Sequence, residues 1–371
     1  MEEKWVKLWE KLDAMNSGVG ENTEYVMKYL KAFFHEDDID YFLALGNVFE
    51  TSDIVAERMQ LPQKHVEEKL YDMSRRMLIF RDRVDGVTRY RVNPIAHGIY
   101  EFNVNHHTKE DFQNFVLAGK AQEPGQLGSR AKRARAYLPI QRTLPVNPNT
   151  VKPGELRDED NPYAILDRHS RYAVTNCICA VQKRIEERGE CEYPLERCIS
   201  YDEWADYYVE NEEGHYVDKQ YILDMFKLAD EYKRGLVVQV SNSVDGEFQC
   251  LCCPCCCGLV AMGKFLSGPC DEIQGNYVLE HDTSKCEGNC HSLCVSRCHF
   301  GALTVENDKL VYNKAKCTGC GLCVNVCPNQ ANILTRKPDN ELYTPEGQTW
   351  HDTYNIVAKM REEKGDIGHL Y

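Results

Sequence analysis

Residues 316–328 read Lys316-Cys317-Thr318-Gly319-Cys320-Gly321-Leu322-Cys323-Val324-Asn325-Val326-Cys327-Pro328. The spacing CxxCxxCxxxCP decides how the rest of the chain is organised. Thiolates separated by two-residue gaps wrap a loop around a 4Fe–4S cube, while the last cysteine before the proline ligates the other cluster of a pair. Main-chain N–H groups in such a loop are placed to donate to cluster sulfurs and so to tune the potential. The run therefore asks for a partner, and one lies upstream: Cys286, Cys290, Cys294 and Cys298, followed by His299-Phe300-Gly301-Ala302-Leu303. The segment from Cys298 (CHFGALTV) parallels the segment from Cys327 (CPNQANIL), and Val305–Tyr312 between them reads as a hairpin. The upstream motif is CxxxCxxxCxxxC, with one extra residue in each of its first two gaps, which loosens its loop and leaves its cluster type open. By the crossed arrangement, Cys286, Cys290, Cys294 and Cys327 hold one cluster, and Cys317, Cys320, Cys323 and Cys298 hold the other. A lone zinc site in the upstream half is an alternative that would break the pairing implied by the repeat.

The chain has 371 residues and 19 cysteines, none before Cys177 and none after Cys327. The start, MEEKWVKLWEKL, lacks the basic, apolar and small-residue regions of a secretory signal. No stretch approaches the roughly 18 consecutive apolar residues of a membrane span. These features predict a cytoplasmic, reducing location, where clustered cysteines hold metal rather than staple a scaffold. Hydrophobic residues make up 43% and charged residues 27%, as in soluble globular proteins, and the length allows about two or three compact domains. A net charge of −14 disfavours nonspecific nucleic-acid binding and favours neutral or basic protein partners.

Upstream of the repeat lie two further cysteine groups. The first is Cys177, Cys179, Cys191 and Cys198, whose four thiolates can close around one 4Fe–4S cube. Zinc competes for four thiolates, but structural zinc sites space their pairs by about two to four residues, which CxC and the wider later gaps fit poorly. Lys183, Arg184 and Arg188 are candidates to offset cluster charge, or an exposed helix face. The second group is Cys250, Cys252, Cys253, Cys255, Cys256 and Cys257, six thiols in eight residues, followed by Cys270. Adjacent residues point in different directions, so neighbouring cysteines divide between sites. We expect one cluster here with about four of these cysteines as ligands. A cluster lacking one thiolate could bind a substrate at this region.

The N-terminal half carries no cysteine. Trp5, Leu8, Trp9, Leu12 and Met15 recur at helical spacing, and Asn22 and Thr23 can cap a second helix from Tyr25 to Phe34. Asp38–Leu45, a short helix ending near Met59, a third helix to about Met77 and two strands, Leu78–Arg83 and Thr88–Val92, joined at an Asp85-Gly86 turn signal, make a winged helix-turn-helix pattern. The third helix mixes Lys64, Lys69, Arg75 and Arg76 with Glu67, Glu68 and Asp72. Those signs nearly cancel, which favours protein contact over DNA reading. Residues 119–162, rich in proline, glycine and charge, read as an extended linker, with a basic patch at Arg130–Arg135. Helices follow over 200–235 and a strand over Leu236–Val240. The tail carries a helix, Trp350–Glu363, with apolar surface for docking.

The arrangement resembles a family of cytosolic 4Fe–4S proteins of anaerobic bacteria and archaea. Its members join a winged-helix region, a CxC…C…C segment, a CCxCCC-like string and two ferredoxin motifs. The resemblance covers roughly residues 25–335 and rests on Cys177–Cys198, Cys250–Cys257 and Cys286–Cys327. It implies electron transfer within or beside an anaerobic oxidoreductase.

The expected architecture is α+β and multidomain: N-terminal helices (1–36), a winged-helix-like domain (37–118), an extended linker (119–162), a cysteine-rich Fe–S domain (163–275), a bacterial-type dicluster ferredoxin domain (276–337) and a docking tail (338–371). About three or four [4Fe–4S] clusters would form a wire, two in the ferredoxin domain and the rest over residues 177–270. The leading function is an electron-transfer protein or subunit serving an oxidoreductase, with a redox partner protein or larger complex and room for a homo-oligomer. The alternatives are a redox-sensing winged-helix transcriptional regulator and an Fe–S enzyme with chemistry at Cys250–Cys257. No GxGxxG fingerprint marks a flavin or nicotinamide site.

Overall fold

Trp5, Leu8, Leu12 and Met15 share one face at helical spacing, and that face is buried along helix α1 (Glu2–Ala14). Helix α2 (Glu24–Phe33) starts at Thr23, whose hydroxyl accepts the Val26 amide at 3.4 Å, satisfying one of the N–H groups that a helix start leaves open. The computed structural model describes residues 2–15, 19, 23–119, 138–139, 141–265, 273–286, 293–307 and 309–365. The basic patch at Arg130–Arg135, Asn22, Cys270 and Cys290 lie outside the described residues.

Residues 38–92 follow the expected order of three helices and a hairpin: α3 (Asp38–Ala44), α4 (Ser52–Met59), α5 (Gln63–Arg75), β1 (Ile79–Val84) and β2 (Val87–Val92). The hairpin turns at Asp85 and Gly86, both with positive φ (52° and 81°), the backbone that a two-residue hairpin needs to match strand twist. Helix α6 (Lys109–Ala118) opens with a capping box between Thr108 and Asp111. Val26, Leu30, Phe42, Leu70, Val92, Ile99 and Phe112 join these elements in one apolar core.

Much of the segment expected as a linker is instead structural. Gln141–Leu144 forms strand β3, with all four residues buried, at one edge of a six-stranded sheet ordered β3-β7-β8-β5-β4-β6. The other strands are β4 (Tyr172–Asn176), β5 (Glu196–Tyr201), β6 (Gly214–Val217), β7 (Val237–Ser241) and β8 (Phe248–Cys252), and every pairing is antiparallel. Between them run α7 (Pro162–Arg168), α8 (Ile178–Ile185), α9 (Asp202–Glu210) and α10 (Lys219–Glu231). The two helices expected over 200–235 are thus present, separated by β6. Ile222, Phe226 and Ala229 of α10 pack with Leu144, Val238 and Val240 of the sheet. Trp204, Tyr207 and Tyr208 of α9 instead join Phe80, Phe102, Phe248, Trp350 and Tyr354 in an aromatic cluster.

After α11 (Gly258–Phe265) come strand β9 (Tyr277–His281), α12 (Leu293–Arg297), the hairpin β10 (Leu303–Glu306) with β11 (Lys309–Tyr312), and β12 (Asn332–Arg336), which pairs with β9. This C-terminal unit is sewn to the sheet edge. The Thr143 amide donates to the Gln274 carbonyl at 3.2 Å and the Val146 amide to the Cys320 carbonyl at 2.9 Å. Helix α13 (Trp350–Glu363) docks on this same protein: the Tyr354 hydroxyl reaches the Val92 carbonyl at 3.2 Å and the Trp350 indole the His97 carbonyl at 3.3 Å. Among the described residues, no helix is long and apolar enough to cross a membrane.

A buried ion pair sits where the units meet. Arg142 on β3 is fully buried; its Nε lies 3.3 Å from Asp160 Oδ1, and its other nitrogens donate to the Ser241 and Glu159 carbonyls. Asp160 also accepts from Asn276 Nδ2 at 2.9 Å. Removing one partner strands the other charge in a dry site. Asp160→Asn should therefore lower the unfolding free energy by about 3–5 kcal/mol, measured as a shift in denaturant midpoint.

Candidate metal centres

The loop 317–323 owes its shape to Gly319 and Gly321, both at φ +78°, a left-handed backbone that other residues adopt only with strain. A Cβ on Gly319 would also collide with the Tyr277 carbonyl. The loop brings Cys317, Cys320 and Cys323 around one small cavity, and Cys298 from the upstream repeat lines that same cavity. This is the crossed set. Burial pushes the Cys320 thiol up to about 12 and raises those of Cys298 and Cys323 as well. Such thiols give up their protons to a bound cation, and metal binding here releases protons. Four convergent, mostly apolar-walled thiols fit a 4Fe–4S cube. The two halves repeat in detail: Cys298 Sγ accepts the Ala302 amide at 3.1 Å, and Cys327 Sγ accepts the Ala331 amide at 3.2 Å. Of the second crossed set, Cys286, Cys294 and Cys327 are described.

The central cysteines are sorted by the pleat of the sheet. Cys198 on β5 stands directly opposite Cys250 on β8. Side chains two apart along a strand share a face, so Cys250 and Cys252 look the same way, whereas Arg197 and the residue after the strand, Cys253, look the other. On the first face the thiols form a chain of contacts running Cys177, Cys179, Cys257, Cys252, Cys250 and Cys198. These six line a cavity of about 390 Å³ whose remaining walls include Tyr100, Glu101, Trp204, Tyr208 and Phe248. Gln141 on β3 donates to Cys250 Sγ at 3.4 Å. On the other face, Cys191 meets Cys253, Cys255 and Cys256, with all four sulfurs within 4.8 Å of one another.

This division overturns the grouping by sequence proximity. Cys177, Cys179 and Cys198 do not share a site with Cys191; they join Cys250, Cys252 and Cys257, because β5 and β8 are neighbours and α8 starts beside them. Among the described residues no disulfide forms. Nor do Lys183 and Arg188 serve as the offsetting cations: they engage the Glu190 carbonyl and the Glu186 carboxylate. That role falls to Arg197, which donates to Cys191 Sγ at 3.1 Å and to Cys253 Sγ at 3.3 Å. Its position next to Cys198 on a strand is the signal that could have found it, since it must then face opposite to its neighbour.

Gly319 and Gly301 provide a matched test. Both have positive φ, but a Cβ on Gly301 (φ +67°) meets nothing within 4 Å. Gly319→Ala should cost the chain about four irons, the content of one cube. Gly301→Ala should keep its iron; iron and acid-labile sulfide assays per chain read both.

Residues 310–331 match the family model described as a 4Fe–4S binding domain. The chain is 39% identical over 51 residues to a ferredoxin of Methanothermococcus thermolithotrophicus, covering 85% of that protein and 14% of this chain. It is likewise 39% identical over 51 residues to an uncharacterized ferredoxin of Methanocaldococcus jannaschii, covering 82% of it. No solved structure matches the chain significantly. A crossed four-thiol loop, an internal repeat and this shared length with small ferredoxins agree: through its C-terminal cysteine motifs, the chain belongs to the 4Fe–4S ferredoxin family.

Proposed function

We propose that this protein is a multi-cluster electron carrier, acting as an electron-transfer protein or subunit beside an anaerobic oxidoreductase. Two cube sites lie in the ferredoxin segment and a third cluster site is the six-thiol chamber. The observation that carries this reading is continuity. Cys252, Cys253 and Cys257 belong to the same apolar core as Phe300 and Leu322 of the ferredoxin segment, and Cys250 and Cys320 pack against it. When bound, iron–sulfur clusters supply one-electron storage at potentials set by charge, hydrogen bonds and solvent exposure. The chain's own part is to hold thiols in a rigid, dry medium and to donate to their sulfurs. Gln141 does so at Cys250, and the amides of Ala302 and Ala331 do so at Cys298 and Cys327. Arg297 is buried, bonded to the Asp230 carbonyl, and within electrostatic reach of Tyr193, Cys320 and Cys323.

Helices α3–α5 and the hairpin make up a winged-helix unit in this reading, and its role is contact with protein. Three of the cations on α5 and its C-cap are already engaged: Lys69 and Arg76 with Asp38, and Arg75 with Asn211 and Glu212. Its hairpin is anchored to α9, with Arg81 on Glu210 at 2.8 Å and the Tyr207 hydroxyl on the Ile79 carbonyl at 2.7 Å.

Protein purified without oxygen should carry about 12 irons per chain and take up electrons reversibly in a reductive titration. About eight irons, with Cys177, Cys198 and Cys250 open to alkylation in the native state, would remove the chamber from the relay. Sequence-selective retardation of DNA at low salt would instead favour a regulator.

A further inference from the structure

Among the described residues, sulfur spacing separates the Cys191 group from every other thiol set. Cys191 Sγ stands 3.8 Å from Cys253 Sγ and 3.7 Å from Cys255 Sγ, and Cys255 Sγ stands 3.5 Å from Cys253 Sγ and 3.4 Å from Cys256 Sγ. Four thiolates bound to one tetrahedral ion at about 2.3 Å stand about 3.8 Å apart by geometry alone. Thiolates on the four irons of a cube stand farther apart, because each is carried outward on its own metal. The protein contains its own control. Among the described residues, the crossed set Cys298, Cys317, Cys320 and Cys323 includes no three thiols mutually within 4.8 Å, and nor does the six-thiol chamber. Both of those sets surround a cavity. The Cys191 group closes on itself instead.

We propose that Cys191, Cys253, Cys255 and Cys256 hold a single zinc ion in a closed tetrahedral thiolate site. The donor set is complete, as structural zinc sites require, with no open position. Four thiolates around a divalent ion leave a net charge of about −2, and the Arg197 guanidinium lies against two of the sulfurs to offset it. The metal clips the loop before β5 to the turn after β8, segments 62 residues apart in the chain. The very next residue after the clip, Cys257, enters the chamber on the opposite face. The ion thus sits on the opposite side of the turn from the chamber thiols, and it carries no electrons itself. The bond count is simple: four thiols lose their protons to solvent as four zinc–sulfur bonds form.

Metal analysis of the full-length chain, purified anaerobically, tests this. One zinc per chain is expected beside the iron. Cys191→Ser and Cys256→Ser should each lose that zinc and retain the wild-type iron content. Zinc-edge X-ray absorption on the wild type should show four sulfur neighbours at about 2.3 Å, a readout that needs no variant to fold. Wild-type protein without zinc, whose variants each lose about four irons, would overturn the proposal in favour of a cube. One iron in place of zinc, or nitrogen and oxygen neighbours around the zinc, would overturn it equally. Failure here leaves the iron count of the ferredoxin loop and chamber untouched, so the carrier reading stands or falls separately.

Discussion

The antiparallel pairing of β5 with β8 is the constraint on which the metal-binding half of the molecule depends. It sets Cys198 against Cys250, and the two-residue period of the pleat then fixes where every neighbouring cysteine can look. A one-residue slip would turn Cys250 and Cys252 to the far face. The register is held from several sides: β7 pairs with β8 along Val237–Val240, Phe248 is locked in the aromatic cluster, and the Tyr201 hydroxyl bonds Gln249 Oε1 at 3.0 Å. The dense cysteine string is thus read out by a strand and a turn as two different sites back to back.

Around this sheet the rest of the chain works to exclude water and to hold geometry. The hairpin β1–β2, α9 and α13 converge on Phe80, Phe248 and Trp350, closing one side of the chamber with aromatic rings. Helix α13 reaches further, where Arg361 engages Asp13 and ties the C-terminal helix to the N-terminal one. On the other side, β3 carries Arg142 into its buried pair with Asp160, which also holds Asn276 of the ferredoxin segment. Buried charges are tolerable only when each is met, so this pair specifies how the segment before β9 lies against the sheet edge. The loop 317–323 is pressed close enough to Tyr277 that only glycine fits at position 319.

Local signals in the sequence were dependable where the physics is local. The cap at Thr23, the Asp85-Gly86 turn, the helix Trp350–Glu363 and the crossed loop 317–323 depend on residues close in the chain, and all are seen. The repeat between Cys298 and Cys327 was legible because each half makes the same amide-to-sulfur bond four residues on. The segment 119–162 has the composition of a linker, rich in proline and charge. Strand β3 is only four residues long, and nothing in those four residues announces a partner almost a hundred positions away.

Cluster binding at the loop 317–323 is legible in its residues alone, since thiol spacing within a loop is a matter of bond lengths and a few backbone angles. Which central cysteines stand together depends on how the strands pair in the folded sheet. Cys191 meets Cys253 across 62 residues, and Cys177 and Cys198 meet Cys250 and Cys257 only because β5 lies beside β8. Spacing along a chain cannot express which strand will be a neighbour, because strand order comes from burying side chains across the whole sheet.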